Sequence, residues 1–540
     1  MRDDFDVTQF QKQLPQRGGS GPFSEALHCC NQAADTRETA WMEDPMARYS
    51  YERLTALDNS FLLLEKSSSQ MHVASTMIFD AGPLRRPDGG IDAEAILDHI
   101  AAALDRIPRY RQKLMYVPIE DGPVWVDDDQ FNLDYHIRHT ALPRPGTDAQ
   151  LKRLSARVME QRLDRRRPLW EMWIVEGLED GRFAIISKVH HCMIDGVSGV
   201  DLLEILMSPE PSREIPEPRH FIPRPLPSRL ELVEDELRRR VRLGLRALID
   251  LPNLLNEIRD DRSQLVHRLR ALAETLGASY GRATPTPLNQ PIGPHRRFDW
   301  LTMQLAEFKA LRKVLGGSLN DLVLTVVTGA VRRFLERRQV NPAEIAFRIM
   351  APVSVRDESE RGALGNRVSA WFVELPIGEP DPCAQLEKIR RITTELKSRR
   401  QAVGAAALTE VAEWTPSTLL ALGARNVTRV LPFNMVVTNV PGPQFPMYTL
   451  GARLLEVHPQ VPLLDNLGLG IALMSYNGKL CWGFNADYDV VPDLAGFVAG
   501  VRSSFEALQE AAGAIRLAPQ PPESATKREA TSKQGAPTVD

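Results

Sequence analysis

Hydrophobic and polar positions follow two different periods along the middle of the chain. Met71–Phe79 is rich in β-forming residues, and Phe183–Val189 (FAIISKV) is a short, mostly apolar run of the kind a buried strand requires. Ala93–Leu104 repeats at helical spacing, as does Val197–Met207, which follows Asp195-Gly196 as a helix start. In the second half, Phe347–Val355, Arg367–Leu375 and Met435–Val440 read as strands, and Leu319–Arg332 and Cys383–Arg399 as helices. Leu467–Ser475 and Leu480–Asp487 flank Asn477-Gly478, whose two residues tolerate positive φ, so the segment predicts a hairpin. This mixed α/β pattern covers two halves of comparable size.

The stretches between and around the halves are different in kind. Residues 1–45 are polar, aperiodic and interrupted by Gly18-Gly19-Ser20-Gly21, which predicts a flexible extension; Met46 offers an internal start. Pro209–Pro227 is too rich in proline for a helix or a central strand. Ser228–Leu248 then places Leu230, Val233, Leu237, Val241, Leu245 and Leu248 on one stripe, with Arg238, Arg239, Arg240, Arg242 and Arg246 crowding the rest. Such a helix suits either an anionic membrane surface or a solvated brace between domains. The expected organisation is an extension over 1–45, a domain over 46–208, a linker over 209–295, a second domain over 296–515 and a disordered tail over 516–540.

Composition narrows the classes. With 540 residues, 43% hydrophobic and 25% charged, the chain has material for a large core. Its 66 basic and 70 acidic residues nearly balance, which gives no global attraction for nucleic acid. No run of 18 apolar residues is present, the acidic start Met1-Arg2-Asp3-Asp4 is unlike a secretory signal, and five cysteines build neither a disulfide framework nor a CxxC metal pair. The expectation is a cytoplasmic protein with reduced thiols.

The densest chemistry is Val189-His190-His191-Cys192-Met193-Ile194-Asp195-Gly196. Adjacent strand residues face opposite sides, so one imidazole faces a given cavity and the other does not. A neutral imidazole suits lifting a proton from a hydroxyl. Asp195 can fold back to hold the turn, and Gly196 permits close backbone approach. The competing readings are a satisfied core histidine, a metal site, which lacks a third ligand at suitable spacing, and a Cys192 nucleophile, whose neighbour His191 points away. GxSxG, P-loop and GxGxxG patterns are absent from the sequence.

HHxxxDG resembles the signature of the CoA-dependent acyltransferase superfamily, which includes chloramphenicol acetyltransferase-like enzymes and nonribosomal peptide condensation domains. Further segments resemble the bacterial wax ester synthase/diacylglycerol acyltransferase family in order: Leu54–Phe61 (LTALDNSF), Pro168-Leu169-Trp170-Glu171, Ser318–Leu324 (SLNDLVL), Gly365-Asn366-Arg367 and Thr438–Pro443 (TNVPGP). The chain departs from it in carrying Thr438 where Ser is usual, in its front extension and in its Arg-rich linker.

The resemblance implies two chloramphenicol-acetyltransferase-like domains facing each other across a tunnel, with acyl-CoA entering from one side and a lipid alcohol from the other. It implies His191 as general base, His190 as a structural neighbour and Asp195 with Gly196 as loop support. Asn320 with Asp321, and then Thr438 and Asn439, would position substrate or the oxyanion; Pro168, Leu169 and Trp170 would line the acyl channel or pack the core. The implied reaction is direct transfer from acyl-CoA to diacylglycerol or a long-chain alcohol, with CoA a co-substrate and no resident cofactor or metal. The acceptors partition into lipid, so peripheral contact with the inner membrane face or a lipid body is expected. The runners-up are a secondary-metabolite acyltransferase or condensation-type enzyme, which the lack of a carrier-protein domain disfavours, and an inactive lipid-surface binding protein, which intact HHxxxDG disfavours.

Overall fold

The computed structural model describes residues 51–118, 122–193, 205–242, 283–354, 368–402 and 432–517. The chain divides into two units between Ser50 and Tyr51, and every described element belongs to the second. The expectations placed on residues 1–45, on Asp195, Gly196 and the helix after them as far as residue 204, on residues 243–282, on Gly365-Asn366-Arg367 and on residues 518–540 lie outside the described residues.

The first half runs β1 Glu52–Arg53, α1 Ala56–Leu64, β2 His72–Asp80, α2 Ala93–Ala103, β3 Gln112–Tyr116, β4 Pro123–Asp127, α3 Leu133–His136, β5 Ile137–Ala141, α4 Asp148–Glu160, β6 Trp170–Leu178 and β7 Arg182–His190. Residues 229–242 of the linker form α5. The second half runs β8 Arg296–Gln304, α6 Leu305–Leu315, α7 Leu319–Arg337, β9 Phe347–Ser354, β10 Val368–Leu375, α8 Pro382–Ala402, β11 Met435–Pro441, β12 Tyr448–Thr449, β13 Ala452–Gln460, β14 Leu469–Tyr476, β15 Lys479–Asp487 and α9 Leu494–Leu517.

Local chemistry explains the boundaries. The Thr55 hydroxyl accepts from the Asp58 N–H at 3.1 Å and starts α1. Reciprocal capping boxes start α4 (Thr147, Gln150) and α7 (Ser318, Asp321). The β14–β15 hairpin turns at Asn477 and Gly478, with φ of 43° and 79°.

Two six-stranded mixed sheets result. Sheet I has the order β12-β13-β2-β7-β6-β5 and sheet II the order β10-β9-β11-β14-β15-β8; β1, β4 and β3 form a small third sheet. Helices α6, α7, α8 and α9 cover sheet II over a core that includes Val326, Phe334, Ile471 and Phe497. Helix α4 lies between sheet I and β8, burying Leu151 and Val158 against Ile186, Phe298 and Trp300.

The strand pairing crosses the boundary that the composition suggests. β13 follows β11 in the second half, yet it pairs antiparallel with β2 from Ala74↔Gln460 to Phe79↔Leu454. Its sequence, ARLLEVHPQ, shows no alternation because both of its faces are covered: His458 stacks on Trp300 of β8 with ring centroids 4.8 Å apart. More bonds tie the halves together around the loop after α1. The Ser69 hydroxyl donates to the Leu463 carbonyl at 2.6 Å, Lys66 pairs with Asp465, and the buried Arg296 donates to Gln70 Oε1 at 3.1 Å and to the Ser68 carbonyl.

The Pro-rich segment lies extended against the first half, where Arg224 grips Asp127 through Nε and Nη2 at 2.9 and 2.6 Å. Leu232 of α5 is buried among Val117, Val124 and Val126, so that helix rests on the small sheet.

The crossing of β13 over sheet II requires a missing side chain. A Cβ at Gly483 of β15 would stand 1.8 Å from the Pro459 carbonyl oxygen, and neither backbone can yield without breaking a ladder. Gly483→Ala should therefore destabilise the protein by about 3 kcal/mol, the upper end of the usual range for overpacking. Denaturant unfolding checks this, and an unchanged midpoint would show that β13 does not approach β15 so closely.

Candidate active site

The two histidines sit on either side of the end of β7. His190 ends β7 directly opposite His72 of β2, and His191–Met193 form a 3-10 turn. Two backbone bonds fix the exit: His190 N–H donates to the Leu169 carbonyl at 2.9 Å, and His191 N–H to the Met71 carbonyl at 2.8 Å. His190 is 1% exposed; its Nδ1 accepts from the Cys192 N–H at 3.2 Å. His191, in the turn, is half-buried. Its ring stacks on Phe61 of α1, with centroids 3.9 Å apart and planes 21° from parallel. His191 Nδ1 is buried without a hydrogen-bond partner among the described residues. Burial lowers the pKa of His191 to about 4, so the ring is uncharged at neutral pH.

Charged groups lie beneath His190. The side chain of Glu65, directly after α1, is buried, and its Oε2 accepts from Arg165 Nε and Nη2 at 3.2 and 2.7 Å. Its Oε1 lies 3.3 Å from His72 Nε2 and 3.8 Å from His190 Nε2. Burial opposes ionisation of Glu65, but the His72 contact, the neighbouring imidazole of His190 and the Arg165 fork outweigh it and hold the carboxyl well below the usual range. Burial, reinforced by His72, pushes His190 down, so it too is uncharged. One cross-strand position further along, Lys188 Nζ meets Glu171 Oε1 at 2.6 Å and donates to the Val158 and Gln161 carbonyls, both at 2.8 Å.

The remaining sequence-predicted residues fall into separate groups. Cys192 is fully buried, and burial raises its thiol well above the ordinary value, which opposes a thiolate nucleophile. Pro168, Leu169 and Trp170 are buried; the Trp170 indole N–H donates to the Tyr110 carbonyl at 2.7 Å and its ring stacks on His136. Asn320 and Asn439 come together: Asn439 Nδ2 donates to Asn320 Oδ1 at 2.6 Å. Both border a cavity of about 140 Å³ with Trp371, Thr393 and Lys397. Asp321 borders it too, but its Oδ2 accepts from Ser318 N–H and hydroxyl at 2.7 and 2.8 Å, and its Oδ1 from the Thr393 hydroxyl at 2.8 Å. Thr438 is on the other face of β11, alternate to Val437 and Asn439. No hydrogen bond among the described residues joins His191 to Asn320, Thr438 or Asn439. Asp195 and Gly196 lie outside those residues, and no group of His, Cys, Asp or Glu among them is arranged to hold a metal.

Sequence reasoning quotes Phe61 within a longer segment but gives it no role, and it overlooks Glu65, His72 and Arg165. A usable signal is present: Glu65 is four residues after Phe61, so an acidic side chain continues the face of a helix that packs inward.

The wax ester synthase/diacylglycerol acyltransferase catalytic domain matches residues 54–323, half of the chain, and the C-terminal domain of that family matches residues 364–509. The chain belongs to the wax ester synthase/diacylglycerol acyltransferase family. A putative diacylglycerol O-acyltransferase of Mycobacterium tuberculosis is 32% identical over 500 residues, 90% of this chain and 96% of that protein. The O-acyltransferase WSD of Acinetobacter baylyi is 29% identical over 84% of this chain and 96% of its own. Among solved structures, the wax ester synthase/diacylglycerol acyltransferase of Marinobacter aquaeolei superposes with a TM-score of 0.59 at 27% identity, covering 85% of this chain and all of that one. A starter condensation domain of rhizomide synthetase shares the fold, with a TM-score of 0.52 at 12% identity over 86% of this chain and 94% of its own. This member of the wax ester synthase/diacylglycerol acyltransferase family is thus an acyltransferase with the mixed-sheet architecture expected from HHxxxDG, and the reading as an inactive binding protein falls away.

The Lys188–Glu171 pair gives a test of how the His190 strand is held. Lys188→Met takes the close partner from the buried Glu171 carboxylate, leaving it only Arg138 Nε at 3.7 Å, and should cost about 3 kcal/mol. Adding Glu171→Leu should restore most of that, because the double variant removes both charges. Denaturant unfolding of the three variants measures both effects; a double variant no more stable than Lys188→Met would contradict the pairing.

Proposed function

We propose that this acyltransferase moves the acyl group of an acyl-CoA onto the hydroxyl of diacylglycerol or a long-chain alcohol, with His191 as general base. The observation that carries the reading is the state of His191: an uncharged imidazole, stacked and half-buried in the turn that closes a buried strand. His191 takes the hydroxyl proton as the alcohol oxygen attacks the thioester carbonyl. The tetrahedral intermediate collapses with release of the CoA thiolate, which recovers the proton from the imidazolium. Direct transfer fits the burial of Cys192, which keeps its sulfur protonated and out of reach. The Asn439–Asn320 bond spends the Asn320 oxygen and leaves its amide N–H groups as donors, which supports Asn320 as a substrate or oxyanion contact. Asp321, with both oxygens engaged, supports the start of α7 rather than substrate, and Thr438 contributes from the other face of β11. His190 and the Pro168-Leu169-Trp170 segment hold the turn and its strand in place. CoA acts as co-substrate, with no resident cofactor or metal.

His191→Ala should lower turnover with palmitoyl-CoA and a lipid alcohol by about 10²–10⁴-fold while the protein stays folded. His190→Ala should cost mainly stability. Because the base is the neutral ring and its pKa is lowered, kcat/KM should stay level as pH falls from 8 toward 5 and drop only through about 4. A loss centred near 6.5, or normal turnover by His191→Ala, would remove His191 from this role.

We also infer that the enzyme works at a lipid surface through α5. Among the described residues no single helix is long and apolar enough to cross a membrane. Leu230, Leu237 and Val241 are 83%, 63% and 54% exposed along one face of α5. The arginines are less free than their sequence suggests: Arg238 pairs with Glu234, and Arg239 and Arg240 pair with the buried Glu236. The apolar stripe therefore supplies more of the attachment than the charge. Changing Leu230, Leu237 and Val241 to Ser should lower co-sedimentation with anionic vesicles more than changing the five arginines to Gln. Equal vesicle binding by wild type and the triple Ser variant would place the contact elsewhere.

A further inference from the structure

We propose that Glu65 is a positioning residue for acyl transfer, acting on His191 through the helix that stacks on it. This rests on His191 being the base. Glu65 occupies an expensive place for a carboxylate. Its side chain is 2% exposed, and it follows the C-terminus of α1, where the helix dipole disfavours negative charge. A hydrophobic residue would cap that turn at lower cost, so the charge has a task beyond filling space.

The contacts define the task. On the helix side, Glu65 N–H donates to the Phe61 carbonyl at 3.1 Å, closing the last turn of α1. Arg165 Nη2 donates at once to Glu65 Oε2 at 2.7 Å and to the Leu62 carbonyl at 2.8 Å, so one guanidinium locks the carboxylate to the turn that carries Phe61. Phe61 in turn covers the His191 ring. On the strand side, His190 Nδ1 accepts from the Cys192 N–H, so the ring's proton sits on Nε2 and faces Glu65 Oε1. The Cys192 N–H belongs to the turn that holds His191. Glu65 thus fixes the helix that stacks on the base and lies 3.8 Å, outside hydrogen-bond distance, from the imidazole that anchors the base's turn. His72, 3.3 Å from the same oxygen, completes the environment of Oε1.

The test compares Glu65→Ala, Glu65→Gln, Phe61→Ala and the Glu65→Ala/Phe61→Ala pair with wild type, using palmitoyl-CoA and a lipid alcohol. Turnover is expressed per folded protein, with kcat and the KM for acyl-CoA measured separately. Misplacing a reacting group by about 1 Å costs roughly 10²-fold, so Glu65→Ala should lower kcat by about 10–100-fold and change KM by less than about threefold. Phe61→Ala should show the same split, and the pair should be no worse than the more damaging single change, since both act through one contact. Glu65→Gln keeps the shape and part of the hydrogen bonding and should fall between wild type and Glu65→Ala; it also serves if the Ala variant does not fold. A folded Glu65 variant with wild-type kcat, or losses that multiply in the pair, would overturn the proposal. Absence of turnover by wild type would instead overturn the reading of the reaction itself.

Discussion

Beneath His190, sheet I buries Glu65 against Arg165 and, two strand positions away, Lys188 against Glu171. Charges out of water survive only where partners replace the solvent, and each of these is gripped from more than one side. The grip has a geometric product. The strand that ends at His190 cannot slide or tilt without breaking an ion pair, so the turn after it is presented at a fixed height. His191 inherits that rigidity while its own ring remains free of any charged neighbour in hydrogen-bond contact among the described residues. The protein thereby concentrates electrostatic bonding where strength is wanted and keeps it away from the group whose basicity has to remain available.

The second constraint is topological. Sheet I is complete only when β13, from the far end of the chain, takes its place beside β2. Arg296, Ser69 and Lys66 reinforce the same junction at the loop between α1 and β2. That loop leads directly from Glu65 to His72. The contacts that hold the halves together are therefore made within a few residues of the groups that hold the histidines.

Much of this was legible in the sequence. The strand before His190-His191 and the hairpin at Asn477-Gly478 follow from local chemistry, and the structure places them where the periodicity does. Different surroundings for the two imidazoles were expected from strand alternation, but the structure obtains them by ending the strand at His190 and placing His191 in a 3-10 turn. β13 was not legible, because a strand covered on both faces loses its alternation and its partner is about 380 residues away in sequence. The Glu65 cluster was missed for a related reason: an isolated Glu after a helix reads as solvated until Arg165, a hundred residues later, is folded beside it. The arginines of α5 show the reverse error. Read as a list they form a cationic patch, but the interleaved acids Glu234 and Glu236 take three of them.

The crossing of β13 also determines what counts as a folding unit. A break in the linker would leave two fragments still joined by a full ladder of backbone hydrogen bonds, with the later fragment closing the sheet of the earlier one. The earlier fragment by itself would present β2 as a bare, apolar edge, the kind of surface that recruits other strands. The second half holds all of sheet II, but sheet I needs strands from both halves. Synthesis from the N-terminus consequently leaves sheet I unfinished until β13 has been made.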